Sequence, residues 1–120
     1  MFYTLGNSIA VVKPNQPVLD WLKTIFSDID LSLDKIRLDV NSYLLPEVEE
    51  IEDGINIIDE KYDEIFYLEL SSWTEDEELW PKDLSLEMFW QWFDVEIIPT
   101  IIDICEPTDS INEINTPTLH

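Results

Sequence analysis

The chain is expected to fold as a small single-domain α/β (α+β) protein, a three-stranded sheet packed with about four helices. Three observations point there. Two short β-branched or apolar runs each stop at a proline, Ser8–Lys13 before Pro14 and Val40–Leu45 before Pro46, and a third run follows near residue 95. Between the second and third runs, apolar residues recur at helical spacing. The 120 residues suffice for one core, with 45% hydrophobic, 12% aromatic and two glycines. A net charge of −21 would suit a disordered chain, but five tryptophans supply enough burial to offset the ordering entropy.

The elements follow in order. Ser8–Lys13 reads as a buried strand. Asn15 or Gln16 opens a helix with Pro17 in its first turn, where a missing N–H costs little. Val18, Leu19, Trp21, Leu22, Ile25 and Phe26 form its apolar face. Ser32 caps a short helix running to Leu38, with Leu33, Ile36 and Leu38 as its apolar positions. Val40–Leu45 is the second strand. The spacing of Ile51, Ile55, Ile58, Tyr62, Ile65 or Phe66, Glu69 or Leu70, and Trp73 predicts a helix over 50–72, weakened early by Gly54. Trp73–Leu84 is a loop. Asp83 or Ser85 caps a helix whose apolar side is Leu86, Phe89, Trp90 and Phe93. Val95–Ile104 is the third strand, with Pro99 demanding an edge or a bulge. Residues 1–105 form the domain, and 106–120, rich in Pro, Thr, Asn and Ser, form a flexible C-terminal tail.

Composition narrows the chemistry. Six Lys and Arg against 27 Asp and Glu exclude a nucleic-acid binder that neutralises phosphates, and argue against anionic membranes. The lone Cys105 forms no intramolecular disulfide, which suits a reducing cytoplasmic compartment. Its neighbours Asp103 and Glu106 disfavour a thiolate. No apolar run is long enough to span a membrane, and the N-terminus lacks a secretory pattern. The only histidine is His120, in the tail, so histidine-based catalysis has no pre-positioned base. Two glycines cannot build a phosphate loop. No catalytic residues, cofactor or metal ligands are therefore assigned, and the chain is expected not to be an enzyme.

Carboxylates are abundant enough to keep a metal-binding domain or carboxylate-based metalloenzyme as an alternative. Asp28, Asp30, Ser32, Asp34 and Asp39 have calcium-loop spacing, but Leu33 stands where glycine should make the turn. Ser32 as a helix cap accounts for the segment without a cation. A structural module using acidity for solubility is the third reading.

The distribution of charge is more informative. Residues 47–87 hold 16 acids against Lys61 and Lys82, a local −14. Asp59 with Asp63, and Glu60 with Glu64, are like-charge pairs four residues apart, each costing a few tenths of a kcal/mol in a helix. Such a surface would steer onto a basic protein partner and fix its register. The candidate partner-binding residues are Asp59, Glu60, Asp63 and Glu64 on the long helix, and Glu75, Asp76, Glu77 and Glu78 in the loop. Trp80 beside them is a candidate apolar anchor. A homodimer of the free protein stays open.

Ala10-Val11-Val12-Lys13-Pro14, Pro17-Val18-Leu19-Asp20-Trp21-Leu22, Tyr43-Leu44-Leu45-Pro46-Glu47, Glu64-Ile65-Phe66, Glu69-Leu70, Leu79-Trp80-Pro81 and Met88-Phe89-x-x-Trp92-Phe93 run from about residue 9 to 104. In them the chain resembles a widespread family of small acidic bacterial proteins without an established activity. More narrowly, its length, acidity and Ile/Asn-rich character resemble a secreted bacterial effector that inhibits companion effectors acting on ubiquitin. Those companions are papain-like enzymes that deamidate ubiquitin or transglutaminate it to a ubiquitin-conjugating enzyme. The resemblance implies a non-enzymatic inhibitor that blocks the docking of ubiquitin or the conjugating enzyme. Thr116, Thr118 and Leu119 resemble a type IV secretion signal, implying translocation into a host cytosol and a role in virulence.

Overall fold

A computed structural model describes residues 3–105. The tail expected over 106–120, with its secretion-signal resemblance, lies outside the described residues. The elements are β1 (Tyr3–Thr4), β2 (Asn7–Pro14), α1 (Gln16–Ile25), α2 (Leu33–Ile36), β3 (Asn41–Pro46), α3 (Ile51–Ser71), a 3₁₀ turn (Glu77–Leu79), α4 (Leu86–Trp92), β4 (Phe93–Ile98) and β5 (Ile102–Asp103). The fold is α+β.

The main sheet is antiparallel in the order β3-β2-β4, with Ala10 between Tyr43 and Ile97. Strand periodicity dictates which side is covered. Ser8, Ala10, Val12 and Pro14 are buried, whereas Asn7, Ile9, Val11 and Lys13 are only half-buried. On the covered face lie Leu45 of β3 and Phe93 and Ile97 of β4, together with the buried side of α3. Among the described residues the helices therefore close one face, and the other is only half-covered.

Local signals start and stop the helices. Pro17 occupies the first turn of α1, where it removes only an unbonded N–H. Asn15 precedes the helix without capping it. Its amide donates to the Gln91 carbonyl at 3.3 Å and its oxygen accepts from Arg37 at 2.7 Å, tying the start of α1 to the end of α4. Ser32 caps α2, and Ser85, not Asp83, caps α4 through the Met88 N–H at 3.1 Å. Asp83 instead adopts a positive φ of 57° in the preceding loop.

Three expectations are corrected. The third strand does not run over Val95–Ile104. Phe93, expected on the last helix, opens β4 instead, because its backbone pairs opposite Pro14 of β2, and its ring is buried on the covered face. The strand then ends at Ile98, before Pro99, which cannot donate to a ladder. The chain resumes extended structure as β5, pairing antiparallel with β1 in a separate two-stranded ladder. Leu38 is 84% exposed and lies beyond α2, so it is not a core position.

Most of the core is helix against helix and sheet. Phe66, fully buried on α3, has its ring centroid 5.8 Å from Phe89, 5.9 Å from Trp92 and 5.4 Å from Phe93. The edge-on contacts with Phe89 and Phe93 suit ring quadrupoles. Gly54 sets the approach of α3 to β4. A Cβ there would lie 2.7 Å from Ile97 Cγ2, and Ile97 is buried and β-branched, so it yields little.

Helix propensity alone favours Ala over Gly by about 1 kcal/mol. The contact reverses the sign: Gly54→Ala should lose about 1 kcal/mol net, roughly 4–8 °C in Tm. In an Ile97→Ala background the same change should raise Tm. Thermal denaturation of the four-member cycle decides it, and a Gly54→Ala gain in the unaltered chain would refute the close-packing account.

Candidate functional site

α3 carries two faces. Its inner stripe, Gly54, Ile58, Ile65, Phe66, Glu69 and Leu70, is buried. Its outer side exposes Glu60, Asp63 and Glu64, with Tyr67 and Leu68 also exposed among them. Asp63, Glu64, Tyr67 and Leu68 line a shallow open hollow of about 420 Å³. Glu64 pairs with Lys61 at 3.5 Å, an exposed contact worth under about 1 kcal/mol.

Asp59, singled out with these acids, is placed differently. It is half-buried, and its Oδ1 accepts the Trp90 indole N–H at 2.7 Å, joining α3 to α4. That hydrogen bond ties the two helices together, so Asp59 is less exposed than its neighbours Glu60, Asp63 and Glu64.

The acidic loop is braced by tryptophans. Trp80 donates to the Thr74 carbonyl at 2.9 Å, closing the loop across its base. Trp21 of α1 donates to the Leu79 carbonyl at 2.9 Å. Asp76 caps the 3₁₀ turn through the Glu78 N–H at 3.1 Å, leaving Glu75, Glu77 and Glu78 as exposed charges on a held frame. Trp80 is half-buried and meets Tyr67 edge-on at 5.3 Å. It is first a loop brace, and through Tyr67 it joins the loop surface to that of α3.

Glu69 is the ionisable group that residue pattern alone did not assign to a site. It is 6% exposed, and its Oε2 accepts from the Asn41 amide at 2.8 Å and the Tyr43 hydroxyl at 2.5 Å, linking α3 to β3. Its place on the apolar stripe was the available signal. Burial pushes the carboxyl above its ordinary range, against the opposing effect of the Tyr43 and Asn41 hydrogen bonds. Burial, then Glu69 itself, raises the Tyr43 phenol, which stays a donor. Beyond Asn41, a hollow of about 250 Å³ brings Lys35 and Asp39 near the same end of β3.

Among the described residues no group of three or more His, Cys, Asp or Glu side chains converges to hold a metal. The calcium-like segment instead shows Ser32 bound to the Lys35 N–H and Lys35 paired with Asp30 at 3.2 Å. Among these residues no helix is long and apolar enough to cross a membrane. Compared with known proteins, the chain matches no family model, no curated protein and no solved structure. The family resemblance therefore rests on the residues quoted for it.

A carboxyl whose pKa is raised by folding binds its proton more tightly in the folded state. Its stabilisation is complete below the unfolded value of about 4.3 and is lost as pH rises through the folded value. Glu69 should thus make stability fall with pH across the weakly acidic range. Glu69→Gln keeps an acceptor for Tyr43 and Asn41 and removes the titration. Urea melts from pH 4.5 to 7.5 should show a shallower fall in the variant, with a gain at pH 7.5. An unchanged pH profile would show that Glu69 does not contribute.

Proposed function

We propose that this chain is a non-enzymatic inhibitor that docks its acidic α3-and-loop surface on a basic region of a partner enzyme. The narrower form takes the partner to be a bacterial effector that deamidates ubiquitin or transglutaminates it, with access of ubiquitin or its conjugating enzyme blocked. One observation carries the reading: Glu60, Asp63 and Glu64 flank exposed Tyr67 and Leu68, and Tyr67 packs on the braced loop bearing Glu75, Glu77 and Glu78. Charge on such a surface accelerates encounter, and the apolar residues within it supply area that persists after docking. The bracing matters as well, because a loop already held by Trp21 and Trp80 loses little freedom on binding.

The test is kinetic. With a purified ubiquitin-modifying effector of this class, the chain should slow ubiquitin deamidation, and excess ubiquitin or conjugating enzyme should relieve the inhibition. Glu77→Lys with Glu78→Lys should cut the association rate by about tenfold at low ionic strength while leaving the melting curve intact. The difference should shrink near 1 M salt, where the Debye length falls to about 3 Å. Association rates indifferent to both salt and charge reversal would sink the electrostatic reading.

A further inference from the structure

β3 is an edge of the main sheet, so among the described residues one side of its backbone has no strand partner. Proteins guard such edges with lysine, proline, bulges or a covering element. The opposite edge, β4, bears Asp94 and Glu96 and ends before Pro99. Along β3, Asn41–Pro46, no side chain is charged, and proline appears only at the last position. Beside this edge runs a groove of about 450 Å³ between β3 and α3. Its helical wall follows Ile57, Lys61, Glu64 and Leu68, one stripe at helical spacing. On the strand side the groove is lined by Tyr43, Leu44, Leu45 and Pro46, the last four of the six residues of β3. Buried Leu45, Ile58 and Ile65 contribute apolar surface to the lining, and half-exposed Leu68 offers more.

We propose that β3 and this groove accept an extended, lysine- or arginine-rich segment of a protein partner as a fourth strand. Main-chain pairing with β3 gives the register, apolar side chains of the segment meet Ile57 and Leu68, and its basic side chains meet Glu60 and Glu64. Charge selects this occupant over the others. Lys61 is the groove's one cation and is already paired with Glu64, while Glu47 stands exposed just past the end of β3. A second copy would bring another chain of charge −21 against the acidic rim. Residues 106–120 contain Glu106, Asp109 and Glu113 and no lysine or arginine, so they are mismatched in the same way. The inference deepens the proposed docking function, resting on its basic partner while adding a main-chain mode of recognition beside the acidic face.

The probe is a synthetic heptapeptide, Val-Thr-Lys-Thr-Lys-Thr-Val, whose valines and lysines share the face turned to α3, capped at both ends and titrated into the isotope-labelled full chain. No effector enzyme is present, so failure here is distinct from failure of the inhibition assay. Saturable binding is expected, with amide shifts concentrated over 42–45 and 57–68. N-methylation of alternate peptide nitrogens on the pairing edge keeps charge and side chains but removes the donors, and should weaken binding at least tenfold. Glu60→Lys with Glu64→Lys, both exposed positions, should weaken it comparably. Equal affinity for the N-methylated peptide overturns strand addition, as do shifts centred on Glu75–Glu78 or an absence of saturation. Shifts over 42–45 that grow with protein concentration alone would make a second copy the occupant and overturn the proposal.

Discussion

Phe66 is the contact on which the architecture depends. A three-stranded sheet covered on one face is too narrow to enclose a core by itself, so the long helix must supply the opposing wall. Phe66 does this from the middle of α3, with its ring against Phe89 and Trp92 of α4 and against Phe93 where the chain enters β4. Trp92 in turn meets Trp21 of α1 at 6.0 Å. One buried side chain thus gathers three helices and the sheet. Phe89 and Phe93 both meet Phe66, one from α4 and the other from the start of β4.

Polar groups fix what the rings leave adjustable. Aromatic packing is tolerant of small rotations, whereas hydrogen bonds have narrow geometry. Buried Ser8 donates to the Pro99 carbonyl at 2.8 Å and accepts from the Val48 N–H at 3.0 Å, pinning the end of β4 and the approach to α3. Arg37 donates to the Pro14 carbonyl at 2.8 Å, holding α2 against the end of β2. Asp59 and Glu69 secure α3 toward α4 and β3 respectively. Among the described residues no buried side-chain nitrogen or oxygen lacks a hydrogen-bond partner. Full satisfaction of this kind favours one arrangement of the helix over the sheet, since any slip would strand several groups at once.

The parts of this fold legible in the residues are those determined locally. Pro14 and Pro46 lie at strand ends, Ser32 and Ser85 cap helices, and the apolar period of α3 places it at Ile51–Ser71 within the expected 50–72. What was not legible depends on contacts between distant residues. The break at Pro99 was signalled, but the pairing of Ile102–Asp103 with Tyr3–Thr4 is chosen by positions about a hundred residues apart. The acids show the same division. Charge density marked α3 and the loop, yet nothing local distinguished Asp59, held by Trp90, from Glu60 one residue on, which is exposed. Trp80 was legible as a special aromatic, but its hydrogen bond to Thr74 was not.

The arrangement of carboxylates separates two uses of one residue type. Asp59 and Glu69 are turned inward and each is met by neutral donors, an indole in one case and an amide and phenol in the other. No cation neutralises either, so these contacts hold without recruiting the scarce lysines and arginines. Glu60, Asp63, Glu75, Glu77 and Glu78 remain outside, and the three ion pairs found among the described residues lie at the surface. Like-charge repulsion along α3 is weak per pair, on the order of a few tenths of a kcal/mol, and burial of Phe66, Ile58, Ile65 and Leu70 exceeds it by far. The fold can therefore carry an acidic exterior that it does not need for its own stability. That exterior, with Tyr67 and Leu68 exposed inside it, is the surface on which the proposed docking to a basic partner rests.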